Sequence, residues 1–210
     1  MPLPSVFLVD DNPVDRRLTH ALLEHSGFDV RSFSSAEEFL RAYAGEPGCL
    51  LLDVCMPGMG GPELQERLAA NGHGIPILFL SGQADVETVS RVFRRGAVDY
   101  LPKPCSTETM VARLHLALER DADRRRKEAF RESMRARLEH LTPREREVMT
   151  RLVRSHTARE IGVELGLSPK TVQVHRAHIL KKTRARSVID LTRMALAAGV
   201  EDLESPGPPA

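Results

Sequence analysis

The run Leu50-Leu51-Leu52-Asp53 constrains this chain most. Consecutive apolar residues over so short a span suit a strand buried on both faces of a parallel sheet. The strand delivers one carboxylate at its carboxyl end. Turn chemistry follows at once in Val54-Cys55-Met56-Pro57-Gly58-Met59-Gly60-Gly61. In open α/β sheets ligands bind outside the carboxyl ends of the strands. Taken alone, Asp53 reads first as a strand-ending residue that caps the next turn.

The neighbouring segments change that reading. Ser5 to Val9 is β-rich and ends in Asp10-Asp11-Asn12-Pro13. An amphipathic helix follows, with Val14, Leu18, Ala21 and Leu22 at helical spacing, closed by Gly27. Asp29 to Phe33 alternates as a strand, and Ser34 and Ser35 with Glu37 and Glu38 open a second helix. After the Asp53 strand come a helix from about Pro62 to Ala70 and a buried strand from Ile75 to Ser81. A helix from about Val86 to Arg95 and a strand from Val98 to Leu101 follow. A fifth helix starts near Ser106, after Pro102-Lys103-Pro104. This is a (βα)₅ pattern, which implies an α/β doubly wound parallel sheet.

In such a sheet the strand ends share one edge, so Asp10, Asp11, Asp53, Ser81 and Lys103 meet there. Three carboxylates repel unless a cation neutralises them. Oxygen-only ligands on a wet rim favour Mg²⁺. A lysine supplies a point charge for a phosphoryl group, and a serine hydroxyl can hydrogen-bond its oxygens. That is equipment for phosphoryl transfer to a carboxylate.

Val9-Asp10-Asp11, Leu52-Asp53 with Met56-Pro57-Gly58, Leu80-Ser81-Gly82 and Lys103-Pro104 together resemble response-regulator receiver domains, over about residues 4–120. The resemblance implies that Asp53 accepts a phosphoryl group from a sensor histidine kinase. It implies that Asp11, Asp53 and the Cys55 carbonyl ligate Mg²⁺, with Asp10 contacting it largely through water. It implies that Lys103 pairs with the phosphoryl group, that Ser81 moves toward it, that Tyr100 swings inward, and that the Lys103–Pro104 bond is cis. Cys55 and Cys105 depart from the usual basic and aromatic residues. Two thiols beside one pocket raise a redox role, against which stands the rarity of cytosolic disulfides.

Composition bounds the rest. At 210 residues, 41% hydrophobic and 28% charged, the chain suits one or two globular domains. No apolar run approaches the ~20 residues of a membrane span, no signal peptide is expected at Met1 to Pro4, and three cysteines make no disulfide framework. A reducing cytoplasm and no membrane partner are expected. The formal charge of +1 divides unevenly: residues 1–120 hold 11 Lys/Arg and 16 Asp/Glu (−5), residues 121–210 hold 19 and 13 (+6). A basic second half points to a polyanionic partner.

Between the halves, Met110 to Leu141 lacks proline and glycine. One long helix, or two with a soft joint, is expected there. Its middle, Arg120 to Glu128, is polar on all sides and reads either as a solvated helix laced with pairs such as Asp121–Arg125 or as a basic run that touches DNA. Phe130, Met134, Leu138 and Leu141 form a thin stripe, read as a packing seam.

Thr142-Pro143 with Glu145 is a helix start with a capping box. Further helices begin at Thr157, at Ser168-Pro169 and near Ser187, and Gly166-Leu167 separates the second from the third. A short helix, a glycine turn and a capped helix with a basic outer face make a helix-turn-helix. Leu141 to Glu145, Glu160-Ile161, Leu165 to Ser168, Thr171-Val172 and Val174 to Arg176 resemble the LuxR-type output domain, over about residues 138–198. That resemblance implies a four-helix domain binding DNA as a dimer, with Ser168 to Lys182 in the major groove. Lys170, Thr171, Lys181 and Lys182 are expected at phosphates; Gln173, Val174, Arg176 and Ala177 are candidates for base edges. Thr183 and Ser155 stand where an apolar residue and a glycine are usual.

Together the two resemblances identify a transcription regulator of the FixJ/NarL type rather than an enzyme. The expected organisation is a receiver over 1–120, a helical linker over 121–140, a helix-turn-helix domain over 141–200 and a disordered tail over 201–210. Phosphorylation of Asp53 is expected to promote a homodimer that binds double-stranded promoter DNA, with RNA polymerase a further partner. Arg91, Arg95 and Asp99 are interface charges by analogy. Two rivals remain. An aspartyl-phosphate phosphatase needs a second acid two residues after the nucleophile, where Cys55 stands. A constitutive DNA-binding protein would use its receiver as a dimerisation scaffold.

Overall fold

A computed structural model describes residues 5–82 and 86–200. The Pro/Gly-rich tail over 201–210 and residues 1–4 lie outside the described residues. The chain divides into two compact units, Met1–Arg124 and Arg125–Ala210.

The first unit is built on a five-stranded parallel sheet of β1 (Ser5–Val9), β2 (Asp29–Phe33), β3 (Cys49–Asp53), β4 (Ile77–Ser81) and β5 (Asp99–Pro102), in the order β2-β1-β3-β4-β5. Its helices are α1 (Pro13–His25), α2 (Ala36–Ala42), α3 (Gly61–Ala70), α4 (Val86–Arg94) and the first turns of α5 (Thr107–Glu139). Alternation along the strands creates two cores. Phe7, Val9, Leu50, Leu52 and Phe79 point to one face, where they meet Phe39, Leu64, Leu68 and Val92 of α2, α3 and α4. Val6, Leu8, Leu51, Leu78 and Leu80 point to the other, where they meet Leu23 of α1 and Met110, Leu114 and Ala117 of α5. Strands β3 and β4 are buried along their whole length. This is why the leucine run shows no alternation in hydropathy.

Two expectations are corrected here. Helix α1 turns Thr19 and Leu23 inward, whereas Val14 and Leu18 are 62% and 60% exposed. Of the apolar stripe visible in the sequence, Val14, Leu18 and Ala21 are exposed and Leu22 is half-buried; the inward face is carried by Leu23 with a threonine. Asp121 does not lie on a solvated face of the helix. It is 2% exposed, accepts from the backbone N–H of Gly48 at 3.0 Å, and pairs with Arg124 at 2.6 Å.

The second unit contains the last turns of α5, then α6 (Pro143–Val153), α7 (Ala158–Leu165), α8 (Pro169–Thr183) and α9 (Val188–Ala197). Thr142 and Thr157 head α6 and α7 with complete capping boxes to Glu145 and Glu160. Ser168 and Ser187 cap α8 and α9. Met134, Leu138 and Leu141 join Val148, Leu152, Ile161, Val172, Ile179 and Leu191 in one core, while Phe130 stays exposed. The stripe on α5 is therefore a packing seam over three of its four residues, and the second core begins before residue 141. The turn into α8 depends on Gly162: a Cβ there would stand 2.6 Å from the carbonyl oxygen of Leu167, whose N–H donates to Gly162 O. Thr183 is fully buried, and its hydroxyl donates to Ile179 O at 2.8 Å, so the polar atom is satisfied inside the core. Ser155 adopts φ +66°, the left-handed region that favours glycine.

Candidate functional site

The sheet order reverses between β1 and β3, and the crevice outside their carboxyl ends is where such a sheet binds ligands. Asp10 follows β1 and is 1% exposed; Asp53 ends β3 and is 8% exposed; Ser81 ends β4 and is buried. Lys103 follows β5, and its backbone N–H donates to Ser81 O at 2.8 Å. The Lys103–Pro104 bond is cis, as expected.

One ammonium holds the cluster together. Lys103 Nζ lies 2.8 Å from Asp10 Oδ2, 3.3 Å from Asp53 Oδ1 and 3.3 Å from Asp15 Oδ2. Cys55 N–H donates to Asp53 Oδ2, and Asn12 N–H to Asp10 Oδ1. Arg16 donates to the carbonyls of Asp10 and Asp11, fixing the loop that carries both acids. Asp15 and Arg16 were not singled out from the sequence. Their signal is positional: one helical turn into α1, they face back over the loop that α1 caps.

Electrostatics set the protonation preferences. Burial raises the Asp53 carboxyl above the ordinary range; Lys103 opposes this and the Asp10 charge adds to it. Burial works against the Lys103 ammonium. Its hydrogen bond to Asp10 and the charges of Asp53 and Asp10 outweigh burial and hold its pKa above the ordinary lysine value.

The remaining expected residues are less tightly gathered. Asp11 is half-buried. Tyr100, on β5, is half-buried against the α2–α3–α4 core. Cys55 is exposed, Cys105 half-buried, and neither is in a disulfide. Among the described residues no group of three His, Cys, Asp or Glu side chains is drawn together around a metal position; Lys103 takes the place between Asp10 and Asp53. The donor set is nevertheless all oxygen, and one ammonium serves three carboxylates. That negative excess fits a hard divalent cation.

In the second unit, α8 presents Lys170, Gln173, Val174, Ala177 and Lys181 to solvent, with Thr171 and Arg176 half-buried. Ser168 is engaged in capping, its hydroxyl 3.0 Å from Thr171 N and 2.7 Å from Thr171 Oγ1. Lys182, expected at a phosphate, is exposed and also engaged within the unit. Its ammonium is 2.7 Å from Oε2 of Glu145, a buried carboxylate that also closes the α6 capping box. Burial opposes the charge on Glu145; Lys182 and Thr142 outweigh it and hold the carboxyl below the usual range.

The model of the response regulator receiver domain matches residues 6–115, and that of the luxR family of bacterial regulatory proteins matches residues 139–195. The chain is 35% identical over 196 residues to the transcriptional regulatory protein FixJ of Bradyrhizobium diazoefficiens, covering 93% of this chain and 96% of the relative. It is 37% identical to FixJ of Azorhizobium caulinodans over 206 residues, 97% of each. Among solved structures, the response regulator StyR matches with a TM-score of 0.82 at 35% identity over 93% of this chain and 99% of that one. Full-length FixJ from B. japonicum matches with 0.58 at 35%, over 94% and 98%.

Proposed function

From the premise that this chain belongs to the FixJ-like response regulators, DNA-binding regulators and not enzymes, we propose that Asp53 is the phosphoacceptor and that its phosphorylation controls promoter binding. One observation carries the reading. A buried Asp53 sits at the carboxyl end of a central strand within reach of Lys103, beside Asp10 and Ser81, in a chain that also presents a capped helix with an open face of Lys170, Gln173, Val174 and Lys181.

The phosphoryl group passes from a histidine nitrogen of the kinase to a carboxylate oxygen of Asp53. The P–N bond breaks as the O–P bond forms, and the imidazole keeps the electron pair. Such transfers are governed by positioning and charge stabilisation. The Cys55 amide holds Asp53 Oδ2, and Lys103 balances charge on the oxygens that arrive. Asp10, Asp11, Asp53 and the Cys55 carbonyl would hold Mg²⁺, whose contribution is to neutralise the phosphoryl oxygens. Ser81 then hydrogen-bonds the new group and Tyr100 follows it inward, altering the α4–β5 face on which a homodimer forms. A full reversal of a two-state balance from 1:99 to 99:1 takes about 5.5 kcal/mol of differential stabilisation.

The kinase meets the exposed Val14 and Leu18 of α1, which flank Asp15, a partner of the Lys103 ammonium. On DNA, Gln173 suits adenine and Arg176 guanine by paired hydrogen bonds, Val174 and Ala177 suit a thymine methyl, and Lys170, Thr171 and Lys181 suit phosphates. Ser168 orders the start of that helix. Among the described residues no helix is long and apolar enough to cross a membrane. A cytoplasmic site of action, with RNA polymerase as partner, follows from the proposed role.

Sedimentation velocity with Mg²⁺, with and without beryllofluoride, tests this on the native chain and on Asp53→Ala. The expected result is a dimer that forms only with beryllofluoride and only when Asp53 is present. Dimers and DNA binding indifferent to beryllofluoride would overturn it in favour of a constitutive scaffold.

A further inference from the structure

Asp15 occupies the third position of α1, after the N-cap Asn12, Pro13 and Val14. An acid there ordinarily reaches back to the N–H of the capping residue and closes a capping box. Glu145 and Glu160 do so in the second unit. In α1 that N–H is already taken: Asn12 N donates to Asp10 Oδ1 at 2.9 Å. Asp15 turns its carboxylate to Lys103 instead, with Oδ2 3.3 Å from Nζ. Its backbone is fixed, because Asn12 Oδ1 accepts from both Val14 N and Asp15 N.

An ammonium has three N–H donors, and Lys103 meets three carboxylates, those of Asp10, Asp53 and Asp15. The three partners are not equivalent. Asp10 and Asp53 are buried and belong to the set proposed to hold Mg²⁺. The Asp15 side chain is 42% exposed and lies outside that set. A divalent cation and an ammonium compete for the same carboxylates and repel each other. Cation entry therefore drives Lys103 off Asp10 and Asp53. A largely buried ammonium left without a partner is costly. Asp15 supplies the contact that survives.

Given the phosphoacceptor reading above, we propose that Asp15 is a positioning residue of this site: it takes over the Lys103 ammonium when the divalent cation enters, so that cation and lysine are held together. Anchored by Asp15, Lys103 stays beside Asp53 with its other donors available to the arriving phosphoryl oxygens. Without the Asp15 charge, the ammonium has only Asp10 and Asp53 to hold, and it competes with the cation for both.

The test is Mg²⁺ titration of the unphosphorylated full chain, followed by the amide NMR signals of Asn12 and Cys55. Asp15→Asn should weaken Mg²⁺ binding about three- to fivefold, and Asp15→Glu should recover part of the loss. Lys103→Met should tighten Mg²⁺ binding, and in that background Asp15→Asn should have little effect. An equal loss in both backgrounds would mean that Asp15 acts only as one more negative charge, and would overturn the proposal. So would native affinity in Asp15→Asn.

The ammonium protons of Lys103, observed through its ¹⁵Nζ, need no lysine variant and decide the matter if Lys103→Met fails to fold. They are seen only while hydrogen bonds slow their exchange with water. The signal should persist in the Mg²⁺-saturated native chain and in metal-free Asp15→Asn, and vanish in Mg²⁺-saturated Asp15→Asn. Its survival there would overturn the proposal alone. A native chain indifferent to Mg²⁺ would overturn it together with the proposed cation site.

Discussion

The carboxylate of Asp121 accepts a hydrogen bond from the backbone N–H of Gly48, a residue 73 positions earlier, immediately before the strand that carries Asp53. The same carboxylate holds Arg124. Helix α5 is thereby fastened to the sheet at its middle by one buried acid. Asp121→Ala leaves a buried N–H without an acceptor and should cost about 1–3 kcal/mol. Asp121→Asn, which keeps an acceptor oxygen, should recover part of this. Urea unfolding followed by circular dichroism measures both.

The same neighbourhood orders the thiols. Burial, with a contribution from the Asp121 charge, pushes the Cys49 thiol up to about 12. Thiolate is the reactive form. A thiol reagent at neutral pH should label exposed Cys55 first, half-buried Cys105 more slowly, and Cys49 only as the receiver unfolds. Labelling of Cys49 in the native chain would contradict its placement.

Leu18 is argued to meet the kinase through an exposed apolar face. Leu18→Asp should lower the rate of transfer from the cognate phosphorylated kinase by about tenfold or more, since hot-spot contacts cost about 2 kcal/mol. Its dimerisation in beryllofluoride should be unchanged, because that route bypasses the kinase. Loss of both responses would place the defect in the receiver itself.

Ser155 holds a left-handed backbone that costs a non-glycine residue about 1 kcal/mol. Ser155→Gly relieves this and loosens the unfolded chain by a comparable amount. Thermal unfolding should therefore show little net change for Ser155→Gly, whereas Ser155→Val should be clearly destabilising.

The Glu145–Lys182 pair separates folding from DNA contact. Lys182→Met should lower stability of the second unit, while Lys181→Ala should leave stability alone and reduce the salt slope of DNA binding by about one. Glu145 has a depressed pKa in the folded state. Its stabilisation is therefore present above the unfolded-state pKa and is lost as pH falls through the folded one. In Glu145→Gln the acid-induced loss of stability of this unit should be shallower.

Much of this was legible in the sequence because strand ends in a parallel sheet are fixed by order alone. Asp10, Asp53, Ser81 and Lys103 needed only strand boundaries to be placed together. Caps were legible for a similar reason: Thr142 with Glu145 is a local rule. What escaped reading depends on which way a helix faces. Val14 and Leu18 repeat at helical spacing, yet the inward residues are Thr19 and Leu23, because the sheet and not the helix selects the face. Asp121 and Lys182 look like ordinary surface charges. Their partners, Gly48 and Glu145, lie 73 and 37 residues away, beyond any local pattern.

The alternation that divides the receiver into two cores bears on how such a protein fails. Asp10, Asp53 and Ser81 reach the common edge only when Leu50 to Leu52 and their neighbours send alternate side chains to the correct face. A slip of one residue would exchange the contents of both cores and withdraw the acids from Lys103 in the same movement. A misregistered receiver would thus be mute, with no route to a phosphorylated yet misfolded species that could signal falsely.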